Sequence, residues 1–297
     1  MGRFRIMSFD GGGIRGLVSL GILRRLMQDN PFLLDDVHMF SGTSTGGIIA
    51  LGLAAGLTPD YLIEMYVKNG EKIFTRRWAH ALGLFGARFT HRYLKQILIE
   101  TFDDLTLGDL SKRVLVPTFD LDNESDGIRR WKPKFFNNFD LTEADSRLPL
   151  WQLCLFTSAA PTYFMSYAGY IDGGMVANNS SISAVVQALD RRYNGTHQFD
   201  DIRLLSLGTG NTSQYVKGQE VDFGAKDVAK LMAIVLDGTE DVPDYQCRVL
   251  LANHYRRLNP FNYRGVGLAD WKEADYLLRL GESCDLMDVP EWIEKVW

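Results

Sequence analysis

Apolar positions in this chain fall into two patterns. Short uninterrupted apolar runs alternate with stretches of helical periodicity. The first pattern suits strands buried on both faces and the second suits helices with one buried face. Their alternation therefore predicts a largely parallel sheet between helix layers. Phe4–Phe9 reads as the first strand, followed by a glycine cluster and a helix from Ile14 to Met27. A second strand, Val37–Phe40, leads into a glycine-bounded turn, and a helix runs from Thr45 to Gly56. Pro59 opens another helix, with Asp60 and Glu64 near its start. Val114–Leu121 is strand-like, with Pro133–Asn137 pairing nearby, and Leu150–Ser158 is helical. Tyr167–Ile171 is a short strand ending in Asp172-Gly173-Gly174, Ser181–Arg192 a helix, and Ile202–Leu207 a buried strand. The last third reads as mostly helical. With no internal repeat or long polar linker, residues 1–297 read as a single α/β domain.

Composition sets limits. Hydrophobic residues make up 46% and charged residues 23%, ordinary values for a soluble globular protein. The net charge of −5 argues against nucleic acid as a partner, so any attraction to phosphate must be local. The N-terminus lacks a signal-peptide pattern, and Ile6 stands where a myristoylation motif needs Ser or Thr. The longest apolar run, Ile48 to Leu57, is too short to span a bilayer. A cytoplasmic protein, peripheral at most to a membrane, is expected. Cys154, Cys247 and Cys284 are far apart, with no metal-ligand spacing or redox motif, so they read as reduced thiols and no metal site is expected.

Two glycine motifs carry candidate chemistry. Gly42-Thr43-Ser44-Thr45-Gly46 lies between a strand and a helix. A serine on such a strained turn projects its hydroxyl above the sheet, and glycines beside it remove side chains that would collide there. Thr45 N–H, at the start of the new helix, is placed to stabilise an oxyanion. As a plain alternative, a Ser/Thr-rich turn can simply cap a helix. Asp10-Gly11-Gly12-Gly13-Ile14-Arg15-Gly16 follows the first strand. Its backbone amides suit either an oxyanion hole or phosphate, because Gly11-x-Gly13-x-x-Gly16 also satisfies the dinucleotide fingerprint. That rival reading needs an acidic residue at the end of the second strand, whereas Asp35 and Asp36 precede it. Arg15 suits either a phospholipid phosphate or a structural pair, for which Asp10 is a candidate partner.

A serine nucleophile needs a base. Of the five histidines, His197 and His254 stand in the chain order a Ser–Asp–His triad would need, but neither lies in a motif. Asp172 ends a short strand and precedes Gly173 and Gly174, which permit a tight turn and close backbone approach. Aspartate is a weak base, and a dry site would strengthen it.

Together the Asp10–Gly16, Gly42–Gly47 and Asp172–Gly174 motifs resemble the patatin-like phospholipase family, as do Thr157–Phe164 and Leu204–Gly210. The resemblance implies a three-layer α/β/α fold and a Ser–Asp dyad without histidine. It makes Ser44 the nucleophile, Asp172 the base and the Gly11, Gly12 and Gly13 amides the oxyanion hole, with Arg15 helping nearby. Gly42, Gly46 and Gly173 support the turns. The implied substrate is a phospholipid or other fatty-acyl ester, cleaved without a metal or organic cofactor. Compact bacterial members of the family include antiviral effectors switched on by a cyclic dinucleotide, which adds such a molecule as a candidate activator. The residues from Lys72 to Ile99 contain no Asp or Glu but carry Lys72, Arg76, Arg77, Arg88, Arg92 and Lys95 among aromatic residues. Such a stretch suits a lid or a membrane-facing surface, although its aromatics could equally be core.

Overall fold

The computed structural model describes residues 2–76, 86–125, 127–193, 197–212, 215–218, 221–224 and 227–297. Nine strands are named among these: β1 (Phe4–Phe9), β2 (Met39–Gly42), β3 (Arg113–Ser125), β4 (Ile128–Asn137), β5 (Tyr170–Asp172), β6 (Ile202–Leu207), β7 (Asn211–Thr212), β8 (Tyr255–Leu258) and β9 (Phe261–Asn262). The main sheet runs β4-β3-β2-β1-β6-β8, and β5 pairs with β3. Its centre, β3-β2-β1-β6-β8, is parallel, while β4 and β5 are antiparallel to β3. The expected three-layer α/β/α arrangement with a largely parallel sheet is what forms.

Strands β1 and β6 are predominantly apolar because both faces of the sheet are covered. Met7 and Phe9 of β1 enter one core layer, and Phe4 and Ile6 enter the other. The first layer is covered by α1 (Gly16–Asp29), α2 (Thr45–Ala54), α3 (Pro59–Ile73), α4 (His91–Phe102), α5 (Leu150–Thr157) and residues from the C-terminal helices. The second is covered by α6 (Ser181–Ala188) and, beyond α7 (Val228–Gly238), by α8 (Asp241–Leu251). Every residue of α2 is buried, which explains its uniformly apolar sequence. Thr58 caps α3 by accepting the Tyr61 N–H, with Pro59 in its first turn.

Several expectations need adjustment. The second strand is Met39–Gly42 rather than Val37–Phe40, so it runs directly into the serine turn. The helix after Ser181 stops at Ala188. The last third contributes a central-sheet neighbour, β8, parallel to β6, where a helix or loop was expected. Within the stretch from 72 to 99, residues 77–85 lie outside the described residues. Of the remainder, Phe89 is core: it packs edge-on to Phe74 with ring centroids 5.5 Å apart, and also against Phe164. No described helix is long and apolar enough to cross a membrane.

Candidate active site

Parallel strands end their C-terminal edges together, and loops leaving that edge meet above it. Here three of those loops converge. At the end of β2, Ser44 has φ 55° and ψ −123°, a left-handed conformation that side chains rarely adopt. The strain is held by close packing: a Cβ on Gly42 would stand 2.0 Å from the Gly46 carbonyl oxygen, and one on Gly46 2.2 Å from that of Phe9. Both glycines are therefore required by contact. Ser44 N–H donates to Thr157 Oγ1 at 3.0 Å, and that hydroxyl donates to the Pro117 carbonyl at 2.7 Å.

Thr157 also receives the second turn. Its carbonyl accepts the Gly173 N–H at 3.2 Å, and Asp172 N–H donates to Ala159 at 3.1 Å. Asp172 is buried at the end of β5, opposite Thr118 of β3. Burial pushes its carboxyl up to about 7, although the Gly174 N–H, donating at 2.7 Å, and the Ser44 hydroxyl both act to lower it. Ser44 and Asp172 line one cavity, whose walls are mainly apolar and include Ile48, Phe74, Leu94, Phe164 and Leu236. Neither His197 nor His254 is there. His197 stacks on Phe4 at 4.0 Å, and His254 Nδ1 lies 3.1 Å from the Arg203 guanidinium.

The third loop follows β1. Asp10 N–H donates to Leu207 at 3.1 Å, and Ile14 N–H to Leu268 at 2.9 Å. Gly13 has φ 58°, and a Cβ there would lie 2.2 Å from the Leu268 carbonyl oxygen. Gly11 departs from expectation as a donor. Its N–H is committed to the Asn178 carbonyl at 3.0 Å. The Gly12, Gly13 and Thr45 amides meet no acceptor among the described residues, and all three residues border the cavity. The Thr45 hydroxyl pairs with the Tyr66 hydroxyl beneath them.

Arg15 takes the structural-pair alternative, with a partner other than Asp10. It is buried and forms a two-point ion pair with Asp237 of α7, at 2.6 and 3.2 Å. Burial acts to lower its pKa, and Asp237 together with Glu240 and Tyr163 raises it above its ordinary value. Asp10 pairs instead with buried Arg257 of β8 at 2.6 Å. Arg257 also reaches Glu240 at 3.5 Å and donates to Ser206 Oγ at 2.9 Å. Glu240 accepts from the Asn178 side chain at 2.7 Å, so this cluster reaches the residue that holds Gly11. Burial pushes both carboxylates upward, Glu240 further because the charge of Asp10 adds to it, while Arg257 opposes the rise at both. Thr157 opens the Thr157–Phe164 stretch, but Asn178, Asp237, Glu240 and Arg257 carry no local motif. Only the Asp10–Gly16 motif hinted that a partner for Arg15 must exist.

A strained serine between a parallel strand and a buried helix, above an apolar cavity, is the architecture of an α/β lipid hydrolase, and the chain belongs to the patatin-like phospholipase family. The sequence model of that family matches residues 7–185, which include both glycine turns and Asp172 but stop short of Asp237, Glu240 and Arg257. Among relatives, Protein teg of Priestia megaterium is 28% identical, with 100% of each chain covered. The putative sporulation hydrolase CotR of Bacillus subtilis is 33% identical, covering 100% of this chain and 99% of that protein. A cGAMP-activated phospholipase of Escherichia coli is 34% identical, over 70% of this chain and 62% of that protein.

Proposed function

We propose that this protein cleaves fatty-acyl esters of phospholipids or lysophospholipids by two-step acyl transfer, with Ser44 as nucleophile and Asp172 as base. The observation that carries the reading is a buried carboxyl that shares an apolar cavity with a strained serine, and burial pushes that carboxyl up to about 7. Asp172 takes the hydroxyl proton as Ser44 Oγ attacks the ester carbonyl. The Gly12, Gly13 and Thr45 amides receive the oxyanion, and proton return from Asp172 releases the alcohol or lysophospholipid. Water, deprotonated by Asp172, then attacks the acyl-serine and frees the fatty acid. The apolar walls suit an acyl chain.

The experiment is fatty-acid release from phospholipid and from a short-chain ester across pH. The base must be ionised, so kcat/KM should rise about tenfold per pH unit up to about 7 and then level off. A profile flat from pH 5 to 8 would remove Asp172 as the base. Running the assay with and without cGAMP tests a second reading, activation by a cyclic dinucleotide, which is favoured by the likeness to the Escherichia coli relative.

The loop makes its own prediction. A Cβ on Gly12 would stand 2.5 Å from Thr209 Oγ1 and 2.7 Å from Thr209 Cβ, so Gly12→Ala forces the loop and Thr209 apart. Turnover should fall by about 10²-fold, the scale of losing one oxyanion donor, with the fold retained by circular dichroism. Near-normal turnover would make the loop a structural turn only.

A further inference from the structure

Arg15 is paired with Asp237 and so is not a free cation for a phosphate near Ser44. A second cleft adjoins the acyl cavity, and Phe74, Tyr163 and Leu268 line both. Four cationic side chains, Arg76, Arg88, Arg264 and Lys272, line this cleft against two carboxylates, Asp270 and Glu273. Arg264 is already paired with Glu273 at 2.9 Å. Among the described residues, neither Arg76 nor Arg88 has a carboxylate within ion-pair distance, so the cleft keeps excess positive charge in a protein whose net charge is −5.

The wall between the two spaces is built rigidly. Arg88 N–H donates to the Thr162 carbonyl at 3.0 Å, and Phe89 N–H to that of Tyr163 at 2.8 Å. The Arg88 guanidinium sits 5.0 Å from the centre of the Tyr163 ring. Thr162 holds φ 71°, a strained conformation for a β-branched residue. Burial keeps the Tyr163 hydroxyl protonated and so able to donate.

We propose that Arg88 and Arg76, with Tyr163 at the junction, form a subsite for the phosphodiester of a glycerophospholipid whose ester carbonyl lies at Ser44. The phosphate is only a few bonds from the ester, so a ligand filling the acyl cavity must send it past the shared wall. The guanidinium fork matches phosphate oxygens, and the Tyr163 ring keeps Arg88 oriented toward them. This subsite rests on the acyl-hydrolase reading above.

The test compares dihexanoyl-phosphatidylglycerol with dihexanoylglycerol, which carry the same acyl chains, both as monomers. In Arg76→Gln/Arg88→Gln protein, the ratio of kcat/KM for the phospholipid to that for the neutral lipid should fall roughly tenfold or more. Tyr163→Phe should shift the ratio in the same direction by less. An unchanged ratio would overturn the subsite. A calorimetric arm uses Ser44→Ala protein and reads binding without turnover. There the two arginine substitutions should weaken phosphatidylglycerol binding by a similar factor, and unchanged affinity would overturn the subsite. If the wild type binds the phospholipid in this arginine-dependent way yet hydrolyses neither lipid, the catalytic reading fails and the subsite stands. Inorganic phosphate competing as strongly as the lipid would assign the cleft to the free anion and overturn the lipid assignment.

Discussion

Asp172→Asn should abolish ester cleavage, lowering kcat by about 10³-fold or more, and should also make the protein more stable at pH 8. The two effects share one cause. The carboxyl sits at about 7 in the folded chain, above the 3.8 of an exposed aspartate, so folding favours its protonated form. That contribution is complete below pH 4 and is lost as pH rises through about 7. At pH 8 the native protein therefore holds an ionised group at a cost of roughly 2–4 kcal/mol. Asn can still accept the Gly174 N–H but carries no charge. Urea unfolding should show the variant ahead by about that amount at pH 8 and level with the wild type near pH 4. Ser44→Ala should be equally inactive without the stability gain, whereas His197→Ala and His254→Ala should keep most activity. An active Asp172→Asn protein, or one no more stable at pH 8, would sink this account of the base.

Arg257→Met should cost about 3–5 kcal/mol of stability, the scale expected when one partner of a buried ion pair is removed. Arg257 is the cation shared by Asp10 and Glu240, and without it two buried carboxyls face each other. The deficit should shrink as pH falls, because both carboxyls neutralise. Adding Asp10→Asn should recover part of it. Turnover should fall more than binding, because Glu240 holds Asn178 and the Asn178 carbonyl holds Gly11. Denaturant midpoints at two pH values, with kcat and KM measured separately, check both claims. A loss under 1 kcal/mol would mean that water or another cation replaces the guanidinium.

The candidate catalytic turns were legible because their information is contiguous. A strained turn demands glycines at particular neighbours of the serine, and Gly42, Gly46 and the loop at Gly11–Gly13 spell out that demand within a few residues. The parallel sheet was legible for a similar reason: β1, β2 and β6 are buried on both faces and so are mostly apolar, with only Arg5, Ser8, Ser41, Arg203 and Ser206 as polar side chains. In contrast, β8 reads Tyr-Arg-Arg-Leu, which lacks the apolar pattern of a buried strand and sits in a third of the chain that reads as mostly helical. A charged residue enters such a strand only when partners are buried with it, and the partner of Arg257 lies 247 residues away. Arg15 likewise gave no sign that its carboxylate would come from Asp237, 222 residues on. The Asp-Gly-Gly turn marked Asp172 as a candidate, but its rise to about 7 depends on burial at the end of β5, where it pairs with β3. Local turn geometry is set by each residue's own backbone and nearest neighbours, so sequence suffices for it. Charge pairing and desolvation depend on which distant surfaces close over a group, and those are set only once the layers have packed.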